Sequence, residues 1–106
     1  MIEVRQTDEF RTWLRRLKDS NAVARIVARI RRMEQGNFGD TRTVGASVME
    51  LRIDYGPGYR IYYVNRGAEI VILLCGGDNV LSSRISGALM LWLKNRGKGN
   101  DRDHAL

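Results

Sequence analysis

The sequence predicts an α+β domain in which an N-terminal helical hairpin packs on one face of a mainly antiparallel sheet of four to five strands, followed by a C-terminal helix. Two apolar stripes with helical spacing occupy residues 10–33. After Gly39 the hydrophobic period changes from about 3.6 to 2. Ile70-Val71-Ile72-Leu73-Leu74 is an unbroken apolar run, as a strand covered on both faces requires. A chain of 106 residues forms one domain with a single core. That domain is placed at 1–94, and the Gly-rich, charged segment 95–106 is expected to be disordered.

Met1 to Arg5 alternates as a short first strand, with Ile2 and Val4 on one face. Thr7 or Asp8 caps the first helix, whose stripe is Phe10, Trp13, Leu14 and Leu17. Ser20 or Asn21 caps the second, with Val23, Ile26, Val27, Ile30 and Met33 inward and Arg25, Arg29 and Arg32 on another side. Gln35-Gly36-Asn37 ends it at a glycine cap. Strands follow at Thr41 to Gly45, Val48 to Tyr55, Tyr59 to Asn65 and Glu69 to Cys75, with a tight turn at Arg66-Gly67. Ser82 or Ser83 starts a last helix carrying Ile85, Leu89, Trp92 and Leu93.

Eighteen Lys and Arg against twelve Asp and Glu give a net charge of +6, which suits a polyanionic partner or a merely basic solvated surface. A lone cysteine, Cys75, excludes a disulfide framework and fits a reducing cytoplasm. An exported or membrane-spanning chain is not expected, because there is neither an apolar leader nor an apolar run near about twenty residues. No metal or cofactor site is expected: the single histidine, His104, lies in the polar tail, apart from Cys75.

The segment Glu50 to Tyr63 carries the most chemistry. Opposed residues share a sheet face, so joining the two alternating runs through Gly56-Pro57-Gly58 pairs Asp54 with Arg60 and Arg52 with Tyr62. Arg52, Arg60 and Tyr62 then lie together on the face away from the helices, beside Glu50 and Asp54. Guanidinium groups suit phosphate and a tyrosine ring stacks on bases. On position alone the same residues are more readily read as ordinary cross-strand ion pairs, Arg60 with Asp54 and Arg52 near Glu50.

Several motifs together resemble a known family: Phe10-x-x-Trp13-Leu14, Arg25-Ile26-x-x-Arg29-Ile30, Gly36-Asn37-x-Gly39-Asp40, Val44-Gly45, the string Glu50-Leu51-Arg52-Ile53-x-Tyr55-Gly56-Pro57-Gly58-Tyr59-Arg60, and Leu74-Cys75-Gly76-Gly77-Asp78. They resemble the addiction-module killer proteins, the RelE/HigB-type toxins of bacterial type II toxin–antitoxin systems, over residues 1–78. The resemblance implies a RelE-like fold and a metal-independent endoribonuclease that cuts mRNA on the ribosome and inhibits translation. The ribose 2′-OH would attack its own 3′-phosphate. It assigns Arg60 as transition-state stabiliser and Arg52 as phosphate clamp, and Tyr62 completes the candidate catalytic set. The implied partners are mRNA, the ribosome and a helix-turn-helix antitoxin from the adjacent gene, with a higher-order toxin–antitoxin assembly open. Where the family carries lysine after Gly-Gly-Asp, this chain has Asn79. Asn79 and Arg84 are the further candidate RNA contacts, with Arg84 or Lys94 left to replace that charge. A gyrase-directed toxin of the ParE type, or an attenuated member that only binds antitoxin, is the alternative reading.

Overall fold

The computed structural model describes residues 1–45, 47–78 and 104–105. Helix α1 (Asp8–Arg16) starts where Thr7 accepts a hydrogen bond from the Phe10 amide at 3.1 Å. The same hydroxyl donates to the Leu74 carbonyl at 2.6 Å, so the cap also ties the helix to the sheet. Asp8 and Glu9 at its start and Arg15 and Arg16 at its end match the helix dipole. Helix α2 (Ser20–Glu34) is capped by Asp19, which accepts from the Asn21 and Ala22 amides at 3.0 and 3.3 Å. The expected caps, Ser20 and Asn21, are instead inside the helix, because the carboxylate just before them reaches two amides at once. The helix closes with Gly36 at φ +86°, its amide on Met33 and the Asn37 amide on Arg32.

Five strands, β1 (Glu3–Gln6), β2 (Thr41–Gly45), β3 (Val48–Ile53), β4 (Tyr59–Arg66) and β5 (Ile70–Gly77), form a mixed sheet in the order β2-β3-β4-β5-β1. β1 runs parallel to β5 and the other neighbours among these five are antiparallel. A two-residue strand, β6 (His104–Ala105), pairs antiparallel with β1 at the edge. The remainder of the segment 95–106, and the expected C-terminal helix, lie outside the described residues.

Both helices cover one sheet face. Phe10, Ala22, Ile26, Ile30 and Met33 meet Val4, Leu51, Ile53, Ile61, Tyr63, Val71 and Leu73 in the main core. Trp13 packs against Gly76 so closely that a Cβ there would overlap its six-membered ring. On the other face Val48, Tyr62, Val64, Ile72, Leu74 and Cys75 are buried in a second cluster. The apolar run of β5 thus feeds both faces.

The hairpin corrects the expected register. Ile53 pairs with Tyr59, Arg52 with Arg60, Leu51 with Ile61, Glu50 with Tyr62 and Met49 with Tyr63. The loop holds residues 54–58 rather than 56–58, so the parity of the faces is as expected but every pair is displaced by two. The cause is local. The Tyr55 amide bonds back to Ile53 at 2.9 Å and the Gly58 amide to Tyr55 at 3.1 Å. The Tyr55 hydroxyl reaches Asp19 at 3.1 Å and its ring lies 4.6 Å under the Arg25 guanidinium. Asp54 and Tyr55 leave the ladder, and Tyr55 docks on the start of α2. The turn after β4 is also longer than Arg66-Gly67: the strand runs through Arg66, and residues 67–69 turn with Gly67 at φ +65°. No described helix is long and apolar enough to cross a membrane.

Candidate functional site

Two rows of side chains cross the sheet on the face away from the helices. In one, Arg42, Glu50, Tyr62 and Cys75 are successive cross-strand partners on β2, β3, β4 and β5. In the next, Arg52, Arg60 and Gly77 stand side by side on β3, β4 and β5. Even-numbered alternation along β3 and β4 puts all of these on one face.

Glu50 is the hub of the first row. It is only 2% exposed, yet it is an ionised carboxylate with three donors. Arg42 Nε reaches it at 2.9 Å, Arg60 NH1 at 3.1 and 3.2 Å to its two oxygens, and the Tyr62 hydroxyl at 3.1 Å. Burial alone would push its carboxyl up. The bonds from Arg60, Arg42 and Tyr62 together outweigh burial and hold it below the usual carboxylate range. Tyr62 moves the other way: burial, then the charge and hydrogen bond of Glu50, push its hydroxyl up to about 12. Tyr62 is therefore a neutral donor to Glu50, poorly suited to act as a base near neutral pH.

A shallow depression of about 280 Å³ opens at the hairpin tip, lined by Asp40, Arg52, Ile53, Asp54, Gly58, Tyr59 and Arg60. Arg52 is exposed there and its guanidinium makes no hydrogen bond or ion pair among the described residues. Its backbone is held from both sides, the amide on Asp40 at 3.0 Å and the carbonyl on Arg29 NH1 at 2.7 Å. Arg29 also bonds the Phe38 carbonyl at 3.1 Å, and a side chain on Gly39 would collide with its guanidinium.

The sequence-predicted residues Arg52, Arg60 and Tyr62 are thus brought onto one face, Arg52 and Arg60 at the depression and Tyr62 behind Glu50. The anticipated Asp54–Arg60 cross-strand partnership is not formed: Arg60 stands opposite Arg52 and pairs with Glu50. Arg25 remains exposed and lies over the Tyr55 ring, and the half-buried Arg29 ties α2 to β3. Asn79, Arg84 and Lys94 lie outside the described residues. Sequence reasoning missed Arg42 and Asp40, and it treated Glu50 as a bystander. A carboxylate alternating with Met49, Leu51 and Ile53 opposite a tyrosine was the available signal. Cys75 is buried, and burial followed by the Glu9 carboxylate pushes its thiol far up, which removes it as a nucleophile. Among the described residues no three His, Cys, Asp or Glu side chains converge as metal ligands.

The chain is 51% identical over 77 residues to an uncharacterized protein of Haemophilus influenzae, a match that spans 73% of this chain and 78% of that protein. The chain belongs to that protein's family. No family model matches the chain, and no solved structure matches it. Kinship with the Haemophilus protein brings no activity with it, so the chemistry rests on the arginines and Glu50.

Proposed function

We propose that this protein is the toxin of a type II toxin–antitoxin system, a RelE/HigB-type endoribonuclease that cleaves mRNA without a metal and inhibits translation in the cytoplasm. The observation that carries the reading is the Arg52–Arg60 pair. Two guanidinium groups stand directly opposite on neighbouring strands, and because Glu50 offsets only part of this charge, the positive charge left over favours a bound anion beside them. A phosphodiester supplies that anion, and the depression at their side has room for part of a nucleotide. The resemblance of the Glu50 to Arg60 string to the killer toxins points the same way.

In this reading Arg52, tethered through its backbone, clamps the phosphate and Arg60 stabilises charge building on the pentacoordinate phosphorus. Asp40 and Asp54 are the carboxylates of the depression available to take the 2′-OH proton. Tyr62 supports Glu50 instead of transferring a proton itself. The partners are mRNA, the ribosome and a helix-turn-helix antitoxin.

Brief induction in cells followed by mapping of transcript 5′ ends tests the proposal. New 5′-hydroxyl ends that vanish with Arg60→Ala, in a variant that still folds and binds antitoxin, are the expected result. Intact transcripts with a DNA-damage response would overturn it in favour of a gyrase poison, and intact transcripts without toxicity in favour of an antitoxin-binding member alone.

A further inference from the structure

We infer that Glu50 is the positioning residue of this site: its buried carboxylate fixes the direction of the Arg60 guanidinium, so that Arg60 meets RNA as a rigid group. The inference rests on the proposed nuclease reading and names the device that would make that arginine effective.

A buried carboxylate is a costly choice on a sheet face otherwise packed with Val48, Tyr62 and Val64. Removing such an ion from water costs several kcal/mol, and apolar residues of similar size commonly stabilise a fold as well or better. What the charge provides here is geometry. Arg60 NH1 contacts both oxygens of Glu50, so sliding the guanidinium in either direction loses one bond. The Arg60 side chain is 15% exposed and Glu50 3%, so solvent screens this pair little. The carboxylate is itself immobilised. Tyr62 donates to the oxygen that also makes the shorter Arg60 contact, and Arg42 donates to the other. With each oxygen bridging two donors, rotation of the carboxylate breaks a bond on both sides. Arg42 has the freedom of an exposed partner, its side chain being 57% accessible, whereas Arg60 is enclosed.

The assembly also sets how much positive charge reaches the depression. Glu50 offsets part of the Arg60 charge while Arg52 keeps all of its own. The two arginines are therefore unequal, Arg52 the stronger ground-state phosphate binder and Arg60 the more precisely aimed. An enzyme benefits from that division, because tight uniform binding lowers KM without raising kcat.

The test is Glu50→Gln, which is close in shape and removes the charge. Three readouts are taken on wild type and variant: kcat on single-stranded mRNA, free and on programmed ribosomes, the salt dependence of affinity for the same RNA carrying 2′-deoxyribose at the cleaved position, and the absorbance titration of Tyr62 with Tyr62→Phe as subtraction. A loosened, less neutralised Arg60 predicts a kcat lower by about 10- to 100-fold. It also predicts affinity for the uncleavable RNA equal to or above wild type, with a log–log salt slope steeper by about 0.7. The Tyr62 titration falls from about 12 toward the ordinary tyrosine value. General unfolding would lower both affinity and kcat, so the split distinguishes positioning from mere stability. Should the glutamine variant fail to fold, Glu50→Asp keeps the charge but withdraws the oxygens. It is expected to lose kcat while retaining the wild-type salt slope.

A Glu50→Gln enzyme with kcat within about twofold of wild type and an unchanged slope overturns the inference while leaving the nuclease reading intact. If the wild type binds RNA and cuts it neither free nor on programmed ribosomes, the nuclease reading fails, and the slope and the Tyr62 titration still decide the role of Glu50. If it neither binds nor cuts RNA, both fall.

Discussion

Replacing Glu50 with alanine leaves Arg60, Arg42 and Tyr62 facing a void without their acceptor. The loss of a buried partner of this kind costs about 3 kcal/mol or more, measurable as a lower urea midpoint at unchanged slope. Acid should act through the same group. Its folded-state pKa lies below the ordinary glutamate value, so its contribution is complete above about 4.3 and is lost as the pH falls through the lower folded value. The midpoint difference between wild type and Glu50→Gln should therefore shrink as the pH drops below the ordinary carboxylate range. A difference independent of pH would contradict this. Arg52→Ala is the contrasting substitution. Arg52 is exposed and without a partner among the described residues, so stability should change by no more than about 0.5 kcal/mol. Affinity for RNA should fall, with a salt slope shallower by about 0.7. At this scale alternation revealed which side chains share a face, because a period of two survives any even slip of register. It did not reveal who touches whom. That depended on Tyr55 preferring Asp19 and Arg25 on α2 to a place in the ladder, a contact separated by 36 residues in the chain.

The elements were the more legible part. The stripes of α1 and α2, the change of period after Gly39 and the apolar run of β5 gave the two helices and five strands, since each is a local pattern with a local cause. The caps and turns were less so: Asp19 displaced Ser20 because two amides compete for the nearest good acceptor, and no local rule ranks them. Trp13 and Gly76 show how elements constrain each other. α1 lies close on β5 only because residue 76 lacks a Cβ, and Gly76→Ala should destabilise by about 1–3 kcal/mol through displacement of the indole. Near-ultraviolet circular dichroism of the tryptophans reports the movement directly. Arg29 serves between α2 and β3 as the glycine does between α1 and β5. Arg29→Met keeps much of the apolar stem, abandons two carbonyls, and should cost about 1–3 kcal/mol in denaturant unfolding. Because one of those carbonyls belongs to Arg52, any RNA cleavage should slow beyond what the stability loss explains.

For the whole molecule, the charge of +6 resolves into something more particular than a basic surface. Two of the arginines, Arg42 and Arg60, reach one buried anion from the strands on either side of it, Arg52 stands beside Arg60 on β3, and two others, Arg25 and Arg29, brace the tip of the hairpin from α2. The sequence could announce a helical hairpin on a sheet, and the mixed character of that sheet follows from β1 inserting parallel to β5. Parallel pairing across the longest stretch of chain leaves no local signature, since the partners are fixed by the space left over after the meander forms.

That same pairing governs the order in which the molecule can come into being. Its earliest strand, β1, finds its main partner only in residues 70–77. As the chain emerges from the ribosome, β1 and α1 wait for β5, while the β3–β4 hairpin already has its own partner close by. Closing so large a loop is slow and comes late, so the segment bearing Arg52 and Arg60 is synthesised well before α1 has its sheet to rest on. Synthesis halted before Ile70 leaves a chain that holds the arginines and lacks the scaffold, and shortening the chain there should yield a protease-sensitive product.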